Sequence, residues 1–146
     1  MSENRVAIVT GASRGIGRAI AEALGRGGAT VVGTATTDKG ADAIGEHLES
    51  AGISGRGMRL DVTDADSVET VVKTVSAEIG VPTILVNNAG ITRDNLLMRM
   101  KDDEWQSILD TNLTSVYRMS KACLRGMMKA RFGRIVSIAS VVGASG

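Results

Sequence analysis

The feature that most constrains this chain is a glycine-rich turn between an apolar segment and a helical one near the N-terminus. Residues 6–9 are four apolar residues in a row, which is typical of a central parallel strand covered on both faces. Gly11, Gly15 and Gly17 follow, and glycine lets the backbone turn tightly and approach a ligand. A helix predicted over residues 16–24 would direct its free N–H groups at this turn, as in a pyrophosphate site. The spacing G-x-x-x-G-x-G departs from the standard G-x-G-x-x-G, so a turn without a ligand is the alternative.

Apolar strands alternate with helical patterns along the rest of the chain. The sequence predicts further strands at residues 30–34, 57–60, 83–87 and 134–139, and further helices at 38–50, 64–79 and 111–130. Such alternation favours an α/β fold with a parallel sheet and right-handed crossovers. We therefore predict one doubly wound (Rossmann) domain over residues 1–146, with strand order 3-2-1-4-5.

Composition excludes several classes of protein. The 146 residues suffice for one domain with a core, and the formal net charge of +1 does not favour nucleic acid or a membrane surface as partner. No apolar run reaches the length of a membrane span, and the first residues lack the apolar stretch of a signal peptide. A single cysteine fits a reducing compartment, and no His, Cys and carboxylate cluster has metal-ligand spacing. We expect a soluble cytoplasmic protein without a metal.

The predicted helix 111–130 has a wide apolar stripe. Its members follow helical spacing and are Leu113, Val116, Tyr117, Ser120, Leu124, Met127 and Met128. Packing on the sheet is one explanation, and a subunit interface is the one we favour. We expect Cys123, near this stripe, to be a buried structural thiol, and His47, in the middle of its helix, to be solvated.

The end of the second strand discriminates between cofactors. NAD-binding units usually place an acid there for the ribose 2′-hydroxyl, but residues 33–37 contain none. Arg14 lies in the glycine turn, and the hydroxyl of Thr36 can donate a hydrogen bond, so both suit a 2′-phosphate. These residues favour NADP over NAD. We predict that Asp38 caps the following helix rather than binding ribose.

Polar and small residues also follow the third and fourth strands. Asp61 could accept a hydrogen bond from an adenine amino group while Val62 packs on the ring, and Asp64 is predicted to cap the next helix. Residues 87–90, Asn-Asn-Ala-Gly, would allow close approach of a cofactor, although such a loop could also form only a turn.

Taken together, these motifs resemble the short-chain dehydrogenase/reductase family. The resemblance is carried by residues 10–17, Asp61-Val62, residues 87–90, Asn112 and Ser140. Within that family, residues 87–100 are most similar to the bacterial 3-oxoacyl-[acyl-carrier-protein] reductases. This resemblance implies NADPH-dependent reduction of a 3-oxoacyl thioester on acyl carrier protein, in fatty acid biosynthesis, by a homotetramer.

The resemblance also implies roles for individual residues. Ser140 would be catalytic and hydrogen-bond the substrate carbonyl, and it is preferred to Ser137; Asn112 would hold the helix geometry and a water of a proton relay. The implied cofactor-binding residues are Gly11, Ser13, Arg14, Gly15, Ile16, Gly17, Thr36, Asp61, Val62, Asn88, Ala89 and Gly90.

The family's Tyr-x-x-x-Lys segment, which donates the proton, is not found after Ser140 within these 146 residues. We therefore expect an N-terminal portion that is inactive alone. Tyr117 and Lys121 have the same spacing but lie within the predicted helix, and we do not assign them catalysis. An inactive nucleotide-binding fragment and a reductase of another carbonyl compound are the alternatives.

Residues 111–134 carry six basic and no acidic side chains. Lys129 and Arg131 could dock an acidic carrier protein, and an ordinary solvated helix face is the alternative.

Overall fold

The fold is a five-stranded parallel sheet with helices on both faces, as seen in a computed structural model that describes residues 4–88 and 101–138. The strands are β1 (Val6–Val9), β2 (Thr30–Ala35), β3 (Gly55–Arg59), β4 (Pro82–Asn87) and β5 (Arg134–Ser137). The helices are α1 (Gly15–Arg26), α2 (Asp38–Ser50), α3 (Ala65–Glu78) and α4 (Asp102–Ala130). The strand order β3-β2-β1-β4-β5 confirms the predicted topology.

Each face of the sheet has its own apolar core, because successive side chains of a strand point to opposite faces. Ile8, Val32 and Leu85 pack with α3 and α4 on one face. Val9, Val31 and Val86 lie in the core of the other face, beneath α1 and α2. A strand buried on both faces can be apolar throughout, which explains the uninterrupted run at residues 6–9.

Helix α4 begins at Asp102, earlier than the predicted 111, and its buried face differs from the predicted stripe. The buried residues recur every four positions and are Ser115, Met119, Cys123 and Met127. Within the predicted stripe only Met127 is buried, whereas Leu113, Tyr117, Leu124 and Met128 are exposed and Val116 and Ser120 are half-buried. The explanation by sheet packing was wrong for these exposed positions. The helix carries apolar residues on two faces, and spacing alone does not say which one meets the sheet.

The start of α2 also corrects a predicted cap. Thr37, in extended conformation, is the N-cap, and its Oγ1 accepts a hydrogen bond from the Gly40 amide at 3.0 Å. Asp38 is the first helical residue, so the prediction that it caps the helix was wrong. At α3 the prediction is confirmed, because Asp64 Oδ1 accepts from the amide of Asp66 at 3.0 Å.

His47 is not simply solvated, contrary to the prediction, because it joins α1 to α2. Its Nδ1 lies 2.8 Å from Arg18 Nη2, and its Nε2 lies 2.9 Å from Glu22 Oε2. Since a guanidinium can only donate, Nδ1 is the acceptor and Nε2 carries the proton given to Glu22. Sequence periodicity could not show this contact, since the partners lie on another helix.

Cys123 is a buried thiol, as predicted, with a relative exposure of 1%. Burial raises the pKa of this thiol to about 11, which keeps it protonated near neutral pH. Among the helices that the structure describes, none is long and apolar enough to cross a bilayer.

Candidate nucleotide-binding site

The carboxyl ends of β1 and β4 remain joined beyond their last paired residues. The amide of Thr10 donates to the Val86 carbonyl at 3.0 Å, and the amide of Asn88 donates to Thr10 Oγ1 at 2.9 Å. Thr10 was part of a quoted motif but was not among the predicted site residues. A hydroxyl directly after a buried strand was the signal that could have identified it.

Gly11, Gly17 and Asn88 meet at this edge of the sheet. Asn88 Nδ2 donates to the Gly11 carbonyl at 3.0 Å. A Cβ at Gly17 would lie 2.1 Å from that same carbonyl oxygen and 2.5 Å from Asn88 Nδ2, so only glycine fits there. Gly11 itself has φ of 63°, a conformation that glycine adopts without strain. The contact fixes the first turn of α1 directly over the end of β1.

The N-terminus of α1 is open to a ligand. Its N-cap, Arg14, is extended and makes no capping hydrogen bond with its side chain, and the first turn carries no acid. Ser13, Arg14 and Gly15 are exposed, and 57% of the Ile16 surface is exposed. A Cβ at Gly15 would have no atom within 4 Å, so space is open beside the turn. Uncapped N–H groups at the positive end of a helix dipole bind anions, and a pyrophosphate fits this position.

Helix α2 and β2 hold the other side of the glycine turn. The amide of Ala12 donates to the Thr34 carbonyl at 3.0 Å. A Cβ at Gly33 would lie 2.9 Å from the Ala12 Cβ and 2.8 Å from Ile44 Cγ2. Gly33 is therefore a packing residue of the site that the sequence reading did not single out. Thr36, just beyond β2, is exposed at the same edge of the sheet.

Asp61, after β3, lies at this edge with an ordered carboxylate. Its Oδ1 accepts from the Thr63 amide at 2.9 Å and from Thr63 Oγ1 at 2.6 Å. These two hydrogen bonds, and to a smaller extent the charge of Arg59, lower the pKa of the Asp61 carboxyl, while slight burial opposes them. The ionised form therefore contributes to stability above the unfolded-state pKa, and this contribution is lost as pH falls through the lowered folded-state pKa.

The loop after Asp61 is anchored to both neighbouring helices. The Asp61 amide donates to Ser67 Oγ of α3 at 3.0 Å, and Arg118 Nη1 of α4 donates to the Thr63 carbonyl at 2.8 Å. Val62 is half-buried against the core beneath α3 and α4, so only its exposed part is available to a ligand.

The structure says less about the remaining predicted site residues. Asn112 is half-buried in α4. Ala89, Gly90 and Ser140 lie outside the described residues.

Ser137 and the Tyr117–Lys121 pair, to which the sequence analysis assigned no catalytic role, can also be placed. Ser137 Oγ accepts from Asn87 Nδ2 at 3.4 Å. Tyr117 is exposed on α4, with Lys121 Nζ 5.6 Å from its ring centre, so this pair has no buried surroundings.

The close approach at Gly17 can be tested by substitution. We expect Gly17→Ala to lower the free energy of unfolding by about 1–3 kcal/mol, because its Cβ overlaps the Gly11 carbonyl oxygen. The same variant should lose binding of a dinucleotide, since the turn must move. Chemical denaturation and equilibrium binding measure the two effects.

Gly27→Ala, at the C-cap of the same helix, is the matched control. Gly27 has φ of −79°, and the nearest atom to an added Cβ is 3.4 Å away. We expect it to change stability by less than about 1 kcal/mol and to leave binding intact. Equal effects of the two substitutions would contradict the account of the turn.

Several curated proteins that are similar to this chain are reductases. A curated relative from Vibrio harveyi, a 3-oxoacyl-[acyl-carrier-protein] reductase, is 64% identical over 144 residues. Relatives with the same name from Escherichia coli K12 and Pseudomonas aeruginosa are 60% and 59% identical over the same length. Each alignment covers 99% of this chain but 58% of the relative, so the chain spans less than two thirds of their length.

The family comparison covers nearly the whole chain. Residues 5–146 match the family described as short chain dehydrogenase. Enzymes of this family use NAD or NADP, which agrees with an anion-binding turn at the end of β1. This chain therefore belongs to the short-chain dehydrogenase family.

Proposed function

We propose that this chain provides the NADP(H)-binding part of a 3-oxoacyl-[acyl-carrier-protein] reductase of fatty acid biosynthesis. The reaction would convert a 3-oxoacyl thioester into the 3-hydroxyacyl product. The observation that carries the proposal is the close contact of Gly11, Gly17 and Asn88 beneath an uncapped helix N-terminus. The identity of 64% with a relative of that name supports the choice of substrate.

The described residues fit a dinucleotide along the carboxyl edge of the sheet. The glycine turn and the first amides of α1 would hold the pyrophosphate. Asp61, kept ionised by its hydrogen bonds to Thr63, would accept from the adenine amino group. Asn88, with Ala89 and Gly90, would border the nicotinamide half. The cofactor, when bound, supplies a hydride.

The charges at the edge support NADP rather than NAD. Arg14 is exposed in the glycine turn and can form paired hydrogen bonds to a phosphate. Thr34 and Ala35 end β2 and Thr36 follows it, so this end of the strand carries no acid, and Thr36 is exposed. A dianionic 2′-phosphate would therefore meet a cation and a donor at this position.

Reduction of a ketone also needs groups that hold the oxygen and deliver a proton. Ser140 would hydrogen-bond the carbonyl oxygen as it gains negative charge. Asn112 would position a water that returns a proton to the donor. The family's Tyr-x-x-x-Lys donor segment is not among these 146 residues, and Tyr117 with Lys121 does not replace it, being exposed on α4.

The direct test is to follow NADPH oxidation with a 3-oxoacyl thioester, with NADH as the comparison. In a protein that joins this chain to a Tyr-x-x-x-Lys segment, turnover with NADPH is expected, and Ser140→Ala should lower kcat by at least about tenfold, as expected for loss of a hydrogen bond to the developing oxyanion. The 146 residues alone should bind NADPH without turnover. Binding of NADPH by the longer protein without turnover on any 3-oxoacyl thioester would support the nucleotide-binding alternative. Turnover only on another carbonyl compound would contradict the proposed substrate and support a reductase of that other compound. Failure to bind NADPH would overturn the proposed function.

The end of α4 supports docking of the acidic carrier. Lys129 and Arg131 are exposed and have no acidic neighbour in sequence. Lys129 also lines a groove of about 520 Å³, together with Lys121, Leu124, Arg125 and Met128. Such a mixture of cations and apolar side chains suits an acidic protein surface.

Charge reversal tests this docking surface. In a protein that joins this chain to a Tyr-x-x-x-Lys segment, we expect Lys129→Glu combined with Arg131→Glu to raise KM for the carrier-bound substrate several-fold, because long-range attraction becomes repulsion. KM for a small thioester analogue should stay unchanged. Arg26→Glu, at an exposed position on α1, is the control and should alter neither value. Equal changes of KM for both substrates would remove carrier docking as the explanation.

The exposed apolar residues of α4 outside this groove support a homotetramer. Leu113 and Tyr117 are exposed on this helix and do not line the groove, and burying them against another copy would remove apolar surface from water.

A further inference from the structure

Asp38 presents a difficulty for the proposed NADP site. It follows Thr36 and Thr37 as the first residue of α2, at the edge where the 2′-phosphate would bind. Its side chain is 82% exposed. A carboxylate near the end of the second strand is the feature of NAD-binding units, and it would repel a phosphate dianion. Selection of NADP therefore requires something that offsets this charge.

Arg59 is placed to offset it. It is the last residue of β3 and pairs in register with Ala35, the last residue of β2. Paired residues of neighbouring parallel strands lie on the same face of a sheet, here the face that α2 covers. Arg59 Nη1 is 3.9 Å from Asp38 Oδ2. The two charges thus meet beside the end of β2, although they are far apart in sequence.

This ion pair contributes little to the stability of the fold. The Arg59 side chain is 66% exposed, and exposed pairs of this separation are typically worth about 0–1 kcal/mol. The guanidinium has five N–H donors, and most of its surface remains accessible. Arg59 is therefore able to contact a second anion while its charge balances that of Asp38.

We propose that Arg59 is a specificity-determining residue for the phosphorylated dinucleotide. It neutralises Asp38 and adds a cation on the β3 side of Thr36, whereas Arg14 provides the cation of the glycine turn. The inference rests on the proposed use of NADP(H). It identifies Arg59 as the group that allows the 2′-phosphate to bind close to the Asp38 carboxylate. An unphosphorylated ribose gains nothing from Arg59.

Equilibrium binding of NADP⁺ and NAD⁺ tests the inference without any turnover. We expect Arg59→Gln to raise the Kd for NADP⁺ about three- to tenfold, as for loss of one exposed charge interaction. The Kd for NAD⁺ should change less than about twofold. Asp38→Asn in the Arg59→Gln background should recover part of the affinity for NADP⁺, because the unbalanced carboxylate is then removed.

Arg56→Gln is the matched control. Arg56 lies on the same strand but pairs with Glu78 of α3 at 2.7 Å, away from Asp38. It should leave both Kd values unchanged, and circular dichroism should show that all variants are folded. Equal effects of Arg59→Gln on NADP⁺ and NAD⁺, or none on either, would overturn the role of Arg59.

A further variant, Arg14→Ala, distinguishes failure of this inference from failure of the proposed function. If the protein prefers NADP⁺ and Arg14→Ala weakens that preference while Arg59→Gln does not, only the inference about Arg59 is wrong. If the unsubstituted protein shows no preference for NADP⁺, the proposed cofactor and the role of Arg59 are both overturned.

Discussion

The position of α1 depends on a close backbone contact between Gly17 and Gly11, which leaves no room for a side chain at Gly17. Gly17 lies against the carbonyl of Gly11, and Nδ2 of the Asn88 side chain donates to that same carbonyl at 3.0 Å. This arrangement brings the start of the helix over the ends of β1 and β4. The uncapped amides of α1 then face the carboxyl edge of the sheet, where a phosphate can accept from them.

The same edge is stiffened by hydrogen bonds that reach across the chain. Thr10 joins β1 to Asn88, Ala12 joins the glycine turn to β2, and Arg118 joins α4 to the loop after Asp61. A site held in this way is organised before a ligand arrives, which lowers the entropic cost of binding. The charged groups around it then decide which dinucleotide is accepted.

Much of this architecture could be predicted from sequence, because strand and helix patterns alternate and glycine has specific backbone uses. The strand order and the meeting of the glycine turn with Asn88 agree with the motifs. The helix faces were harder, since α4 is apolar on two sides and only packing shows that Met119 rather than Met128 is buried. The cap of α2 was misassigned by one residue because Thr37 and Asp38 are both good capping residues.

Contacts between distant segments could not be predicted at all. His47 bonds to residues of α1, and Arg59 reaches Asp38 only because β3 lies beside β2 in a particular register. Helical or strand periodicity describes a segment's faces but contains no information on which partner those faces meet. The charge balance at the end of β2 therefore became visible only in the folded structure.

The central claim is that the glycine turn and α1 bind a nicotinamide dinucleotide. Titration of the ¹⁵N-labelled protein with NADP⁺, followed through backbone amide resonances, tests it most directly. The account predicts the largest shifts at Gly15, Ile16 and Gly17, with further shifts at Thr36 and Asp61. Shifts confined to the groove of α4, or none at saturating NADP⁺, would contradict it.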